Sequence, residues 1–189
     1  MLGGARPGRF SAAAAAVLLL GIVTSGQSLL SREQALALAY PGASFAAEQI
    51  FLTDAQSKAA SDRAGRPLTS PLVARYSATL NGSAVGRAYV DTHVVRTKRE
   101  SVLVSLDPQG RVKRVDVIAF VEPPEYRAPQ AFTNQFTGHG LDDDLRLQRA
   151  IRPIAGATLT AGALTDAVRR VLAVEAVLAS GSAAQAPRR

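Results

Sequence analysis

The sequence predicts an α+β domain: an antiparallel sheet of about four or more strands packed with a C-terminal helix, preceded by an N-terminal signal or anchor segment. Three observations carry that expectation. Between residues 72 and 121 apolar side chains recur with a period near two, in runs separated by tight-turn sequences. Between 160 and 178 the period becomes helical, with Leu164, Ala167, Val168, Val171, Leu172 and Leu178 on one stripe. At the N-terminus, Arg6 and Arg9 precede an apolar run over 10–23, the build of a secretory leader.

The elements follow in order. As a helix, the apolar run rises only about 21 Å, short of the roughly 30 Å hydrocarbon core of a bilayer. Extending it to Leu30 makes it long enough, but takes in Thr24, Ser25, Gly26, Gln27 and Ser28. Residues 1–30 are therefore a cleaved signal or an uncleaved anchor. Both place the rest of the chain outside the cytoplasm, on the periplasmic or cell-surface side, because the positive charges precede the span. Residues 31–70 read as an N-terminal helix and linker region. Ser31 caps a helix that Pro41-Gly42 ends, a strand lies around 48–53 before a helical turn, and 61–70 is a loop.

Residues 71–179 form the main domain, with strands over 72–80, 84–95, 101–106 and 111–121. Asn81-Gly82 is a hairpin signal, and Asp107-Pro108-Gln109-Gly110 is a turn with proline at its second position. Pro123-Pro124 breaks the last strand, 129–136 reads as a short helix, and the long helix covers 160–178. Asp166, Arg169, Arg170 and Glu175 fall mostly opposite its apolar stripe. Residues 180–189 read as a disordered tail.

Composition removes several classes of chemistry. The 189 residues include no Cys, which excludes a thiol nucleophile, a disulfide framework and a thiolate-bound cluster. Two His residues are too few for a His-rich metal site, and His93 reads as structural or surface-exposed. Asp142, Asp143 and Asp144 read as a solvated run or a helix start, since no Gly-punctuated loop or second ligand cluster accompanies them. The net charge of +7 is scattered, without a base-stacking strand or helix-turn-helix pattern, so nucleic acid is not the expected partner. Ser101 and Ser105 lack a His partner in any recognisable motif. No catalytic residue and no metal ligand emerges, and the chain is not expected to be an enzyme in its own right.

One segment carries a candidate site. Ile154-Ala155-Gly156-Ala157-Thr158-Leu159-Thr160 is a small-residue loop running into the N-terminus of the long helix. Unpaired N–H groups and the helix dipole make such a terminus a seat for phosphate. Thr158 and Thr160 supply hydroxyls, and Gly156 and Ala157 keep bulk away. A plain threonine cap fits the same residues.

Ala155-Gly-Ala-Thr-Leu-Thr160, followed by Leu164-Thr-Asp-Ala-Val-Arg-Arg-Val-Leu172, resembles the C-terminal signature of FMN-binding domains. These are found in the G subunit of the Rnf electron-transport complex and the C subunit of sodium-pumping NADH:quinone reductase. The resemblance extends upstream through Thr97-Lys98, Gly110, Glu122-Pro-Pro-Glu-Tyr126 and Ala131-Phe-Thr-Asn-Gln-Phe-Thr-Gly138. It implies FMN esterified through its phosphate to Thr158 by a flavin transferase, and cofactor contacts from Ala155, Gly156, Ala157, Leu159 and Thr160. It places Glu122 and Glu125 beside the isoalloxazine ring. It also implies electron transfer between redox partners of a membrane-associated chain, the N-terminal segment holding the protein to the membrane. Two positions depart from the family pattern: Arg152 stands where Asp is expected, and Ala155 where Ser or Thr is expected. They keep open a non-redox binding or assembly module of the same fold that has lost flavin.

Overall fold

The computed structural model describes residues 29–185, with side chains to Gly181. The leader over 1–28 and the last four residues lie outside the described residues. The element order is α1 (Arg32–Ala39), β1 (Ser44–Phe51), α2 (Asp54–Ala64), β2 (Leu72–Leu80), β3 (Ser83–Val95), β4 (Lys98–Leu106), β5 (Val112–Phe120), α3 (Gln130–Thr133) and α4 (Thr158–Gln185). The five strands form one antiparallel meander in the order β1-β2-β3-β4-β5. The α+β expectation therefore holds, with one strand more than the four the period-two runs displayed.

Local chemistry accounts for the ends. Ser31 and Thr53 each build a capping box, with Gln34 and Gln56 respectively returning the bond. Asn81 and Gly82 both have positive φ, 51° and 79°, as the two-residue hairpin turn requires. Gly86 sits at a true close approach. Its φ is 150°, and a Cβ there would run into the Leu106 carbonyl and the Tyr40 ring. The Tyr40 hydroxyl donates to main-chain carbonyls of Arg87 and Leu106, both at 2.7 Å, and burial pushes its pKa up to about 12.

The sheet separates two apolar layers. One face packs against α4 and α2, through Tyr89, Val102, Val104, Leu164, Val168 and Val171 among others. The opposite face meets α1 through Ala35, Leu36, Ala39, Tyr40, Ala88 and Leu103. Along β3 the alternation follows: Tyr89, Asp91 and His93 bury toward α4, Ala88 toward α1.

Four boundaries need correction. Residues 31–70 are no linker, since β1 is an edge strand of the sheet and α2 packs on α4. The loop expected from Ser61 starts only after Ala64, where Gly65 in the left-handed region ends α2. Asp142 to Asp144 open no helix; the Asp142 carboxylate accepts the Asp144 and Leu145 amides at 3.0 and 2.8 Å. Finally, α4 starts at Thr158 and continues to Gln185, so residues 180–185 are helical. Among the described residues no helix is long and apolar enough to cross a membrane.

Candidate functional site

The site predicted around Thr158 lies where a turn delivers the chain into α4. Ala157 N–H donates to the Ile154 carbonyl at 3.2 Å, and Gly156 turns the chain at φ 75°. A Cβ built on Gly156 meets no heavy atom within 4 Å, so glycine is required there by backbone angle rather than by the protein's own crowding. The two hydroxyls separate cleanly. Thr160 is 1% exposed and belongs to the interior. Thr158 is exposed at the first helical position, among amides that an α-helix leaves without internal partners. Ala155 and Gly156 are exposed, Leu159 is 63% exposed, and Ala157 is buried. The Thr160 hydroxyl is thus turned into the interior, and only its backbone amide belongs to the exposed turn.

A second segment holds this turn in place. The Gln135 side chain accepts the Arg152 N–H at 2.9 Å and donates to the Arg152 carbonyl at 3.3 Å. Phe136 and Phe132 anchor the Gln135 segment in the core, stacked edge-on at 5.5 Å. Gly138, at φ 82°, donates its N–H to Val112 at 2.7 Å and so pins the segment to β5. Gln135, Phe136 and Gly138 of the Gln-Phe-Thr-Gly stretch therefore have distinct tasks, and together they position the loop ahead of Thr158. Arg152 engages Gln135 only through its backbone, which leaves its side chain exposed.

Glu122 and Glu125 sit in different settings. The Glu122 carboxylate closes the β3–β4 turn, accepting from Thr97 N–H at 2.8 Å, Lys98 N–H at 2.9 Å and the Thr97 hydroxyl at 3.2 Å. The Thr97 amide leads the contacts that hold its carboxyl below the usual range. Glu125 is exposed in a turn of 3-10 helix. Both nevertheless lie at the same end of the domain as Thr158. Arg170 bonds Asp91, and Glu175 bonds Tyr89 and Arg87, so α4 runs antiparallel to β3. From Arg170 back to Thr158 the helix rises about 18 Å. The same distance along β3 from Asp91 is about five or six residues, which reaches the β3–β4 turn.

The sequence reading missed a buried ionic chain. His93 Nδ1 lies 2.9 Å from Asp91 Oδ1 and Nε2 lies 3.0 Å from Glu100 Oε2. Arg170 donates to both Asp91 oxygens, at 2.9 and 2.7 Å. All four residues are more than nine-tenths buried. Burial opposes charge on His93, but carboxylates at both nitrogens outweigh it and raise the imidazole pKa. Burial likewise opposes ionised Asp91, and the Arg170 and His93 contacts hold its carboxyl below the usual range all the same. With His93 protonated, two cations balance two carboxylates. The carboxylates face opposite ring nitrogens, so the imidazole fills the space a metal would need. Among the described residues no group of three or more ligating side chains converges on a metal position. Arg169, Arg170 and Glu175, expected opposite the apolar stripe, are 4%, 7% and 6% exposed, because α4 is wedged between the sheet on one side and α2 with the 142–147 loop on the other.

No protein-family model, no curated protein and no solved structure matches this chain.

Proposed function

We propose that the chain is an extracytoplasmic FMN-binding electron carrier that serves redox partners of a membrane-associated chain, with FMN attached through its phosphate to Thr158. The observation that carries the reading is the pairing of an exposed Thr158, in the first turn of a 28-residue helix, with the Gln135 clamp on Arg152. Two stretches of sequence that separately resemble the flavin family thereby act on one loop. The surroundings fit a phosphate: helix-terminal amides, a left-handed Gly156 and open space beside it.

Bound flavin supplies the capacity to accept and release one or two electrons. The chain's own residues do the holding. Thr158 offers the oxygen for the ester, and the amides of the first turn face the phosphate oxygens. Gln135 fixes the approach of the loop. Glu122 holds the β3–β4 turn at the same end of the domain. A covalent ester suits a carrier outside the cytoplasm, where a dissociable cofactor would be lost. The non-redox module remains the second reading, and it is favoured by Ala155 and Arg152, which replace the residues a transferase of this family reads.

Coexpression with a flavin transferase tests the proposal. The wild type is expected to gain the mass of one FMN less one water, in a form that survives denaturation. Thr158→Ala is expected to abolish the adduct, whereas Thr160→Val, which keeps the buried shape, is expected to retain it. Absence of an adduct even in Arg152→Asp with Ala155→Ser would leave the non-redox module as the better account.

A further inference from the structure

The pairing of β2 with β3 runs from Leu80↔Ser83 to Ala74↔Val90 and stops there, although β2 begins at Leu72 and β3 continues to Val95. On its other side β3 stays paired with β4 as far as Val95↔Lys98. The far side of β4 fixes which main-chain groups are freed. The Arg99 carbonyl accepts the Val121 N–H, so the polar groups of Arg99 face β5, and those of Lys98 and Glu100 face β3. Val95 and His93, opposite them, face β4. The N–H and C=O of Thr92 and Val94 therefore point to the side that β2 has left. Both residues are exposed, and no hydrogen bond among the described residues reaches those four groups.

A cavity of about 250 Å³ fills the gap, between Leu72 and Val73 of β2 and Asp91 and Thr92 of β3, against Val171 and Val174 of α4. The two charged residues that line it balance each other: Arg170 gives Nε and Nη2 to Asp91. Beside the cavity, Phe51, Leu72 and Val94 are 74%, 47% and 58% exposed. Phe51 and Leu72 are cross-strand partners. By alternation all three lie on the sheet face that meets α1 through Ala78, Ala88 and Leu103, but beyond the part that α1 covers.

We infer that this gap is a β-augmentation site, in which an extended, uncharged peptide segment of a partner protein pairs with Thr92 and Val94 and seats an aliphatic side chain against Val171 and Val174. Extended backbone is the chemistry that repeats a donor and an acceptor at every second residue along one edge. The balanced ion pair offers a charged side chain no partner, whereas the apolar walls favour burial of an aliphatic one. The shape of the gap also selects the source. A strand already held in a sheet carries a neighbouring strand on its other edge, which would collide with β2; a segment free of any sheet enters alone. None of these groups belongs to the Thr158 turn, so the site does not rest on the flavin proposal.

The test uses the full chain and the peptide acetyl-Val-Thr-Val-Thr-Val-amide, with the same peptide N-methylated at every backbone nitrogen as control. Hydrogen exchange is read by NMR at single amides. In the free protein the Thr92 and Val94 amides are expected to exchange much faster than those of His93 and Val95, which face β4. The peptide is expected to slow Thr92 and Val94 at least about tenfold, the scale of one hydrogen bond. N-methylation is expected to weaken binding by at least the same factor. Val94→Lys, an edge lysine at an exposed position, is expected to weaken it likewise with unchanged thermal melting, and Leu72→Lys makes the same test from the facing strand. Equal binding of the methylated peptide, or unchanged exchange at Thr92 and Val94 in millimolar peptide, overturns the inference. So does protection of these two amides before any peptide is added. If that protection is lost on dilution, a second copy holds the edge; if it persists, another segment of the same chain does.

Discussion

Arg170 and Thr158 stand on the same helix, about 18 Å apart along its axis, in opposite electrostatic conditions. Arg170 is buried and paired: Asp91 takes two of its nitrogens, His93 supports Asp91, and Glu100 supports His93. Thr158 leads a turn whose amides have no partners within the helix, beside an open Gly156. Where ionised groups are mutually satisfied, the chain is fastening α4 to β3. At the other end the chain leaves first-turn amides and the Thr158 hydroxyl open to solvent.

The largest effect is expected at Arg170. Arg170→Met leaves Asp91 and Glu100 facing His93 alone, with one buried negative charge unmatched. Losing one partner of a buried ion pair costs about 3–5 kcal/mol. Urea denaturation of the full chain is expected to show a loss of that size, with FMN labelling at Thr158 retained in the protein that remains folded. A loss below about 1 kcal/mol would mean that the chain of ions is ornamental to stability.

A smaller effect is expected from pH, and its sign differs between His93 and Asp91. The His93 pKa is raised in the fold, so its contribution is full below its unfolded value of about 6.5 and fades as pH climbs through the higher folded value. The Asp91 pKa is lowered, so its contribution is full above about 3.9 and fades as pH falls through the lower folded value. Unfolding free energy measured against pH should therefore hold level between those unfolded values and decline on the alkaline side of His93 titration. His93→Gln is expected to flatten that alkaline decline. An unchanged slope would place the titration elsewhere.

Much of the frame was legible because it is written in local patterns. Asn81-Gly82 specifies its turn, Ser31 and Pro41-Gly42 bound α1, and the period-two runs gave β2 to β5 nearly in full. Thr160 was legible too: it precedes Leu164, Ala167, Val168 and Val171 at helical spacing, on the buried stripe, whereas Thr158 falls off it. What escaped depends on distant partners. Within α2, only Ala60 and Ala64 are buried, so no apolar period marks it; the Thr53–Gln56 capping box was the available sign. The burial of Arg170 and Glu175 cannot be read along α4, because their partners Asp91, Tyr89 and Arg87 lie on β3, about eighty residues earlier. The i, i+2 spacing of Arg87, Tyr89, Asp91 and His93 on one face of β3 was the available hint. Glu122 was placed beside flavin by resemblance, yet its immediate work is to close a turn.

The smallest effect is expected at the exposed end of α4. Gln135 is half-buried and touches the loop only through its two bonds to Arg152. Each such bond is worth about 0.5–1.5 kcal/mol net, toward the lower end where water can substitute. Gln135→Leu keeps the bulk beside Phe136 and removes both bonds. Global stability should fall by about 1 kcal/mol, whereas the Arg152 amide loses its acceptor and should exchange with deuterium markedly faster than the Gly138 amide, which keeps its bond to Val112. If the clamp exists to present Thr158, the rate of FMN attachment should drop by more than this stability change accounts for, because a loosened turn offers the hydroxyl in many orientations. Unchanged attachment with faster exchange at Arg152 would make Gln135 a packing residue, and would leave the exposed end of α4 to be organised by Gly156 and the helix amides alone.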